Sequence, residues 1–210
     1  MTISRRRALI PAAILALGLI ISGCSSTSNG ADAAVVGETH ITNEQLDSIT
    51  TAVLVAQGKP VNTSDSPLVT QTLNWLIVMD LLEQIAVDNS IVLTQGEIDR
   101  EREGELKAAG SEAELTDAYL KQLVPTQQID ERIRFALLAQ KIAAAIAPGQ
   151  SSDAATTALI TTVTAKSNAL DPQVNPRYGT WDSTNLQIGS STSGLSTPAP
   201  TATPAGATAQ

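Results

Sequence analysis

Residues 66–89 read SPLVTQTLNWLIVMDLLEQIAVDN, and the fold class follows from how this stretch must be housed. Leu73, Trp75, Leu76, Ile77, Val78, Met79, Leu81, Leu82, Ile85 and Ala86 are apolar on nearly every side of a 3.6-residue period. A helix with no polar face has to be enclosed by other elements. Ser66 followed by Pro67 reads as an N-cap and a first helical position. Asn74 and Asp80 interrupt the apolar run well short of the roughly 17 to 25 residues a bilayer span needs. The stretch is therefore the expected central helix of a mainly α, multi-helix domain. An isolated charge inside such a helix is costly, so Asp80 is expected to meet Arg132 or Arg134, or to open onto a groove.

Working outward, Thr42 with Gln45, Thr94 with Glu97 and Ser111 with Glu114 carry the spacing of capping boxes. They predict helices over 43–56, 95–109 and 112–123, with Gly58 and Pro60 stopping the first and Gly110 separating the other two. Pro125 and Thr126 start a long helix through Phe135, Leu137, Leu138 and Ile142 to Ile146, stopped by Pro148 and Gly149. On it, Asp130 and Arg134 have the spacing of an exposed ion pair. Ser152 is expected to cap a last helix to about residue 167, whose threonines give it poor intrinsic propensity. Ahead of the first helix, Val35, Val36 and Ile41 around Gly37 are β-prone, and 173–181 reads as extended chain.

The two ends differ from the middle. Arg5, Arg6 and Arg7 precede an apolar run that ends at Ile21-Ser22-Gly23-Cys24, the pattern of an export leader cleaved beside a cysteine that then carries lipid. Cys24 is thus expected to anchor the protein to the membrane on its extracytoplasmic side, stably if two or more acyl chains are attached. The expected divisions are a leader at 1–23, a tether at 24–32, a helical domain at 33–182, and a Ser/Thr/Pro/Ala-rich tail at 183–210 that is too poor in apolar residues to offset the entropy of ordering.

Charge and chemistry narrow the function. The whole chain has net charge −8, and loss of the three leader arginines makes the remainder still more acidic, which disfavours nucleic acid. One cysteine and one histidine, His40, provide neither a disulfide nor a zinc ligand set. No phosphate-binding glycine loop, nucleophile elbow or Cys-His constellation occurs, so neither enzyme activity nor a cofactor is expected. Glu97, Asp99, Glu101, Glu103 and Glu105 alternate along a helix with Arg100, Arg102 and Lys107 interspersed, which predicts a solvated face and no calcium loop.

Three segments in order resemble the helical chaperone module of the periplasmic SurA and extracellular PrsA foldases. Ala34-Val35-Val36-Gly37-Glu38 with Ile41-Thr42 is similar to that module's opening strand and helix start. Residues 73–77, Leu81-Leu82, Ile85-Ala86 and 91–98 resemble its long helix, turn and next helix start. Val174-Asn175-Pro176-Arg177-Tyr178-Gly179 with Trp181 is similar to the returning segment that pairs with the opening strand. The resemblance implies a domain closed by pairing of its two ends. It also implies ATP-independent binding of unfolded or exported polypeptides on an apolar surface bordered by Trp75, Met79, Phe135, Leu138, Tyr178 and Trp181. The plain alternative makes the first four ordinary core and gives the last two the job of closing the domain. The prolyl isomerase domain common in the family has no room between Pro148 and Asn175. A different class of function, an accessory lipoprotein binding one folded partner, fits the same pattern.

Overall fold

The computed structural model describes residues 32–189. The leader, Cys24, the tether as far as residue 31, and residues 190–210 lie outside the described residues. The chain runs β1 (Asp32–Val36), β2 (Thr39–Thr42), α1 (Asn43–Ala56), α2 (Ser66–Asp88), α3 (Gln95–Ala109), α4 (Glu112–Leu120), a 3-10 turn (Thr126–Gln128), α5 (Ile129–Ile146), α6 (Ser152–Leu170), β3 (Gln173–Val174), β4 (Thr180–Asp182) and β5 (Gln187–Gly189). It is mainly helical. Among the described residues no helix is long and apolar enough to cross a membrane.

The expected opening strand is a hairpin. Gly37 takes φ +61° in the two-residue turn that pairs Val36 with Thr39, a conformation glycine adopts at little cost. β3 then joins β1 antiparallel, with Ala34 opposite Val174 and Val35 opposite Gln173, so the first and last parts of the domain share one sheet of order β2-β1-β3. Asn175 strengthens the join: its backbone N–H donates to the Ala33 carbonyl at 2.9 Å and its side-chain amide to the Asp32 carbonyl at 3.2 Å.

α2 is the central element. Leu73, Ile77, Leu81 and Ile85 are almost wholly buried in a core shared with Val36, Ile41, Leu46, Leu138, Ile142 and Val163. A second cluster, Ile98, Leu115, Tyr119, Ile129 and Ile133, packs α3 and α4 on the start of α5. A third, Val53, Leu54 and Leu68, has Leu120 and Leu123 against it.

The structure corrects several expectations. Asp65, not Ser66, caps α2, its carboxylate accepting from the Leu68 N–H at 3.1 Å. α4 stops at Leu120 instead of 123, because Leu123 turns to φ +62° ahead of Pro125 and the Val124 N–H returns to the Tyr119 carbonyl. α5 begins at Ile129 after the 3-10 turn. α6 is capped by Ser151 and extends to Leu170. The hydroxyls of Thr156, Thr157, Thr161 and Thr162 each donate 2.9 Å to the carbonyl four residues back, which satisfies them without leaving the helix. The Asp130–Arg134 pair does not form: Arg134 pairs with Glu83 on α2, and Asp130 with Arg102 on α3. Helix packing brought better partners within reach than the helix's own next turn.

The largest correction concerns residues 183–189, assigned above to the tail. They complete a β4–β5 hairpin in which Trp181 faces Ile188. Asn74 of α2 clasps it from both sides, its amide donating to the Leu186 carbonyl at 3.2 Å and its oxygen accepting from the Ile188 N–H at 3.0 Å. At Gly179, φ +129°, a Cβ would lie 2.2 Å from the Gly189 carbonyl oxygen, so the close approach of the two strands requires glycine.

Candidate functional site

A groove of about 800 Å³ opens between the first half of α2, the α4–α5 connection, α5 and β5. Its α2 wall presents Pro67, Gln71, Trp75 and Val78; the connection supplies Leu123, Val124 and Pro125; α5 contributes Arg132 and Phe135; and β5 contributes Gln187 and Ile188. The Asn74 clasp sets the β5 wall in place. Leu123 sets the opposite wall, since its left-handed backbone, worth about 1–2 kcal/mol of strain for a non-glycine residue, is held while its side chain packs on the cluster around Val53, Leu54 and Leu68.

Electrostatically the groove is nearly blank. Among the described residues lining it, Arg132 alone is charged. Its guanidinium sits 5.1 Å from the centroid of the Phe135 ring, and no carboxylate of the described residues pairs with it. Burial draws its pKa below the ordinary guanidinium value, countered by Tyr119. Arginine stays charged even so.

A second cavity of about 340 Å³ lies on the other side of Trp75, and it is polar and acidic: His40, Asp80, Glu83 and Glu131 line it beside Trp75 and Met79. Asp80 finds neither arginine expected for it. Arg134 is taken by Glu83, Arg132 by Phe135, and Asp80 opens onto this cavity. Burial, and then the Glu83 charge, push the Asp80 carboxyl up to about 6. Its Oδ2 and the Trp75 indole nitrogen are buried without hydrogen-bond partners among the described residues. His40 is exposed and sits 2.8 Å from Asp32.

The six candidate client-contact residues do not form one surface. Trp75 and Phe135 line the groove, Trp75 facing the acidic cavity as well, while Met79 is buried and borders only the acidic cavity. Leu138 is 2% exposed and belongs to the core, so its expected place on a client surface is corrected to core packing. Tyr178 and Trp181 fasten the closing segment: the Tyr178 hydroxyl donates to Asn43 Oδ1 at 2.9 Å, and Trp181 Nε1 donates to the buried Ser167 Oγ at 2.8 Å. Ser167 in turn donates to Ser183 Oγ at 3.0 Å. These two aromatics take the closing role. The sequence reading missed Pro67, Leu123, Val124, Pro125 and Ile188 as walls, although the two prolines mark the chain reversals that bring them together.

Two acidic residues of α3, Glu97 and Glu105, go to separate partners. Glu97 closes the capping box on Thr94 and reaches Lys141 Nζ at 2.5 Å, which with the Thr94 hydrogen bonds holds its pKa near 2. Glu105 accepts from the Tyr119 hydroxyl at 2.5 Å. No protein-family model matches the chain, and no curated protein or solved structure matches it either.

Proposed function

We propose that this protein is a membrane-anchored, extracytoplasmic lipoprotein that holds unfolded or newly exported polypeptides without ATP, using the groove between α2 and α5. The observation that carries the reading is the open, nearly uncharged groove floored by Trp75 and Phe135 on an otherwise acidic protein. Covering about 400 Å² of client apolar surface there yields about 10 kcal/mol gross, against an association cost of roughly 4 to 15 kcal/mol. Binding of that order is weak and reversible, as a holding protein requires. The acidic exterior keeps the carrier soluble and favours basic clients. Cys24 supplies the membrane attachment.

Light scattering tests it. A soluble Cys24→Ser form in molar excess is expected to slow aggregation of several unrelated, chemically unfolded proteins, and Val124→Glu, which places a charge in the groove, to weaken that effect. No effect on any client overturns the proposal. Protection of one protein at a fixed stoichiometry overturns it in favour of an accessory lipoprotein with a single partner. In cell fractionation, Cys24→Ser is expected to move the protein from the membrane to the soluble fraction.

A further inference from the structure

We infer that the groove selects, among extended polypeptides, a segment in which one aspartate or glutamate side chain stands between apolar residues, with Arg132 as the group that receives its carboxylate. This deepens the reading of the groove as a polypeptide site given above and rests on it.

The observation behind it is how the cations are paired. Among the described residues four other cationic side chains are partly buried, and each holds a carboxylate. Arg102 is 3.0 Å from both Glu112 and Asp130, Arg134 is 3.0 Å from Glu83, Lys141 is 2.5 Å from Glu97 and Lys166 is 2.7 Å from Asp88. Arg132 is partly buried too, yet no carboxylate of the described residues pairs with it. Its guanidinium lies over the Phe135 ring, and Tyr119 is the one titratable neighbour whose charge bears on it. Tyr119 is already committed, its hydroxyl donating to Glu105 at 2.5 Å. With 21 acidic side chains against 13 basic ones, the chain has carboxylates to spare, and the partly buried cation it leaves unpaired is the one that faces the groove. A ligand carboxylate would meet the five N–H donors of that guanidinium in a planar fork, and the desolvation already imposed on Arg132 need not be paid again on binding.

The walls indicate what carries the carboxylate. On α5, Gln128, Arg132 and Phe135 line the groove at spacings of four and three residues, so they stand along one face of the helix. On α2, Gln71, Trp75 and Val78 repeat that spacing. The side-chain amides of Gln71 and Gln128, and of Gln187 on β5, have no hydrogen-bond partner among the described residues. Amides pair with the N–H and C=O groups of an extended main chain. The acyl tail of an anionic amphiphile would leave them unmet. Because they stand on three different walls, they suit main chain running on both sides of the charge, and hence a carboxylate carried within the chain.

Charge limits the number of such groups. The acidic exterior repels a run of carboxylates, but at physiological salt its field fades within about 8 Å, so a single one in the groove is governed by contact with Arg132. Basic residues elsewhere in the client meet the exterior.

The test measures anisotropy with the soluble full-length Cys24→Ser chain and three peptides, GVSLXFSVG, in which X is glutamate, glutamine or lysine. Each has a neutral coumarin at its amino end and a carboxamide at the other. The glutamate peptide is expected to bind about tenfold more tightly than the glutamine peptide, as one charge-assisted pair provides, and the lysine peptide more weakly than either. Arg132→Gln should abolish that preference, and Arg132→Lys, which keeps the charge without the fork, should retain only part of it. Equal binding of the glutamate and glutamine peptides, tightest binding of the lysine peptide, or a preference undiminished in Arg132→Gln overturns the inference and leaves the groove reading standing. A glutamine peptide with a free carboxyl end that matches the glutamate peptide overturns it in favour of chain ends. Decanoate that displaces the glutamate peptide at a lower concentration than the unlabelled peptide requires overturns it in favour of an amphiphile. Binding of none of the peptides overturns it as well, and if client aggregation is then also unaffected, the groove reading falls with it.

Discussion

Trp75 stands between two cavities of opposite character, and the contrast shows what the surrounding packing can and cannot neutralise. On one side the groove carries a single charge, Arg132, whose guanidinium has a ring to stack on. On the other, the smaller cavity gathers Asp80, Glu83 and Glu131, of which Glu83 has a cationic partner and Asp80 has none among the described residues. The groove stays open because its walls are braced from outside it, by the Asn74 clasp and the Leu123 turn. The acidic cavity instead destabilises the fold by holding a desolvated carboxylate near a second negative charge. The first is an arrangement suited to an extended, largely apolar ligand; the second is an electrostatic cost located on the central helix.

Removing the shared wall is expected to have the largest effect. Trp75→Ala should destabilise the protein by about 3–4 kcal/mol, in the range for truncating a packed aromatic, and should also abolish client binding by merging the two cavities. Urea unfolding checks the first expectation and anisotropy the second. If Trp75→Ala kept full client affinity, the groove would not be the binding surface and the contrast between the cavities would lose its functional meaning.

The brace comes next. Asn74→Ala removes two hydrogen bonds to β5 and leaves the Leu186 carbonyl and Ile188 N–H to find other partners, a loss of about 2 kcal/mol. The loss should be local. Hydrogen exchange at the Ile188 amide is expected to speed up while the amides of Ile77 and Leu81 stay protected. Uniform acceleration would show that the hairpin and the helical core open as one unit.

What the sequence disclosed follows the same local against non-local line. α1 and α3 were legible to the residue because their signals, Thr42 and the Thr94–Glu97 box, act within one turn. The central place of α2 followed from its composition alone. Residues 183–189, the turn and second strand of the β4–β5 hairpin, were read as tail because Ser183, Thr184 and Asn185 look like tail chemistry, while what orders them is an asparagine more than a hundred residues earlier. The groove was only half legible for a related reason: Trp75 and Phe135 are conspicuous as scarce aromatics, but Leu123 and Ile188 become walls only through a positive-φ turn and a tertiary clasp. Ion pairing was misread wherever a neighbouring helix offered a better partner, as at Arg134.

Asp80 allows the acidic side of the contrast to be adjusted alone. Its folded pKa, pushed up to about 6 by burial and then by the Glu83 charge, lies above the ordinary aspartate value, so the folded state binds the proton more tightly than the unfolded chain. Stability should therefore rise as pH falls from about 7 to about 4, and the benefit should be lost again as pH climbs through 6. Asp80→Asn, neutral at every pH, should remove that dependence and stabilise the protein at neutral pH by about 1–2 kcal/mol, the partial exposure of the site having been allowed for. Urea midpoints of the two proteins at pH 8 and pH 4.5 measure it. A mutant midpoint no higher than the natural one at pH 8 would mean that Asp80 is paired after all.

The smallest effect carries the opposite sign and lies on α3, away from both cavities. Hydrogen bonds from Lys141 and Thr94 hold the Glu97 pKa near 2, so this carboxylate favours the folded state above its unfolded value and the contribution disappears as pH falls toward 2. Lys141→Met removes the stronger of these, the Lys141 hydrogen bond, and leaves the capping box. A carboxyl titration followed by NMR should then show the Glu97 midpoint climbing toward the ordinary glutamate value without reaching it, because Thr94 still donates twice. An unchanged midpoint would assign the whole depression to the cap. Either result leaves the pH response between about 7 and 5 to Asp80, since Glu97 is ionised in both the folded and the unfolded chain over that interval and departs from it only below, and so the two carboxylates can be separated by pH alone.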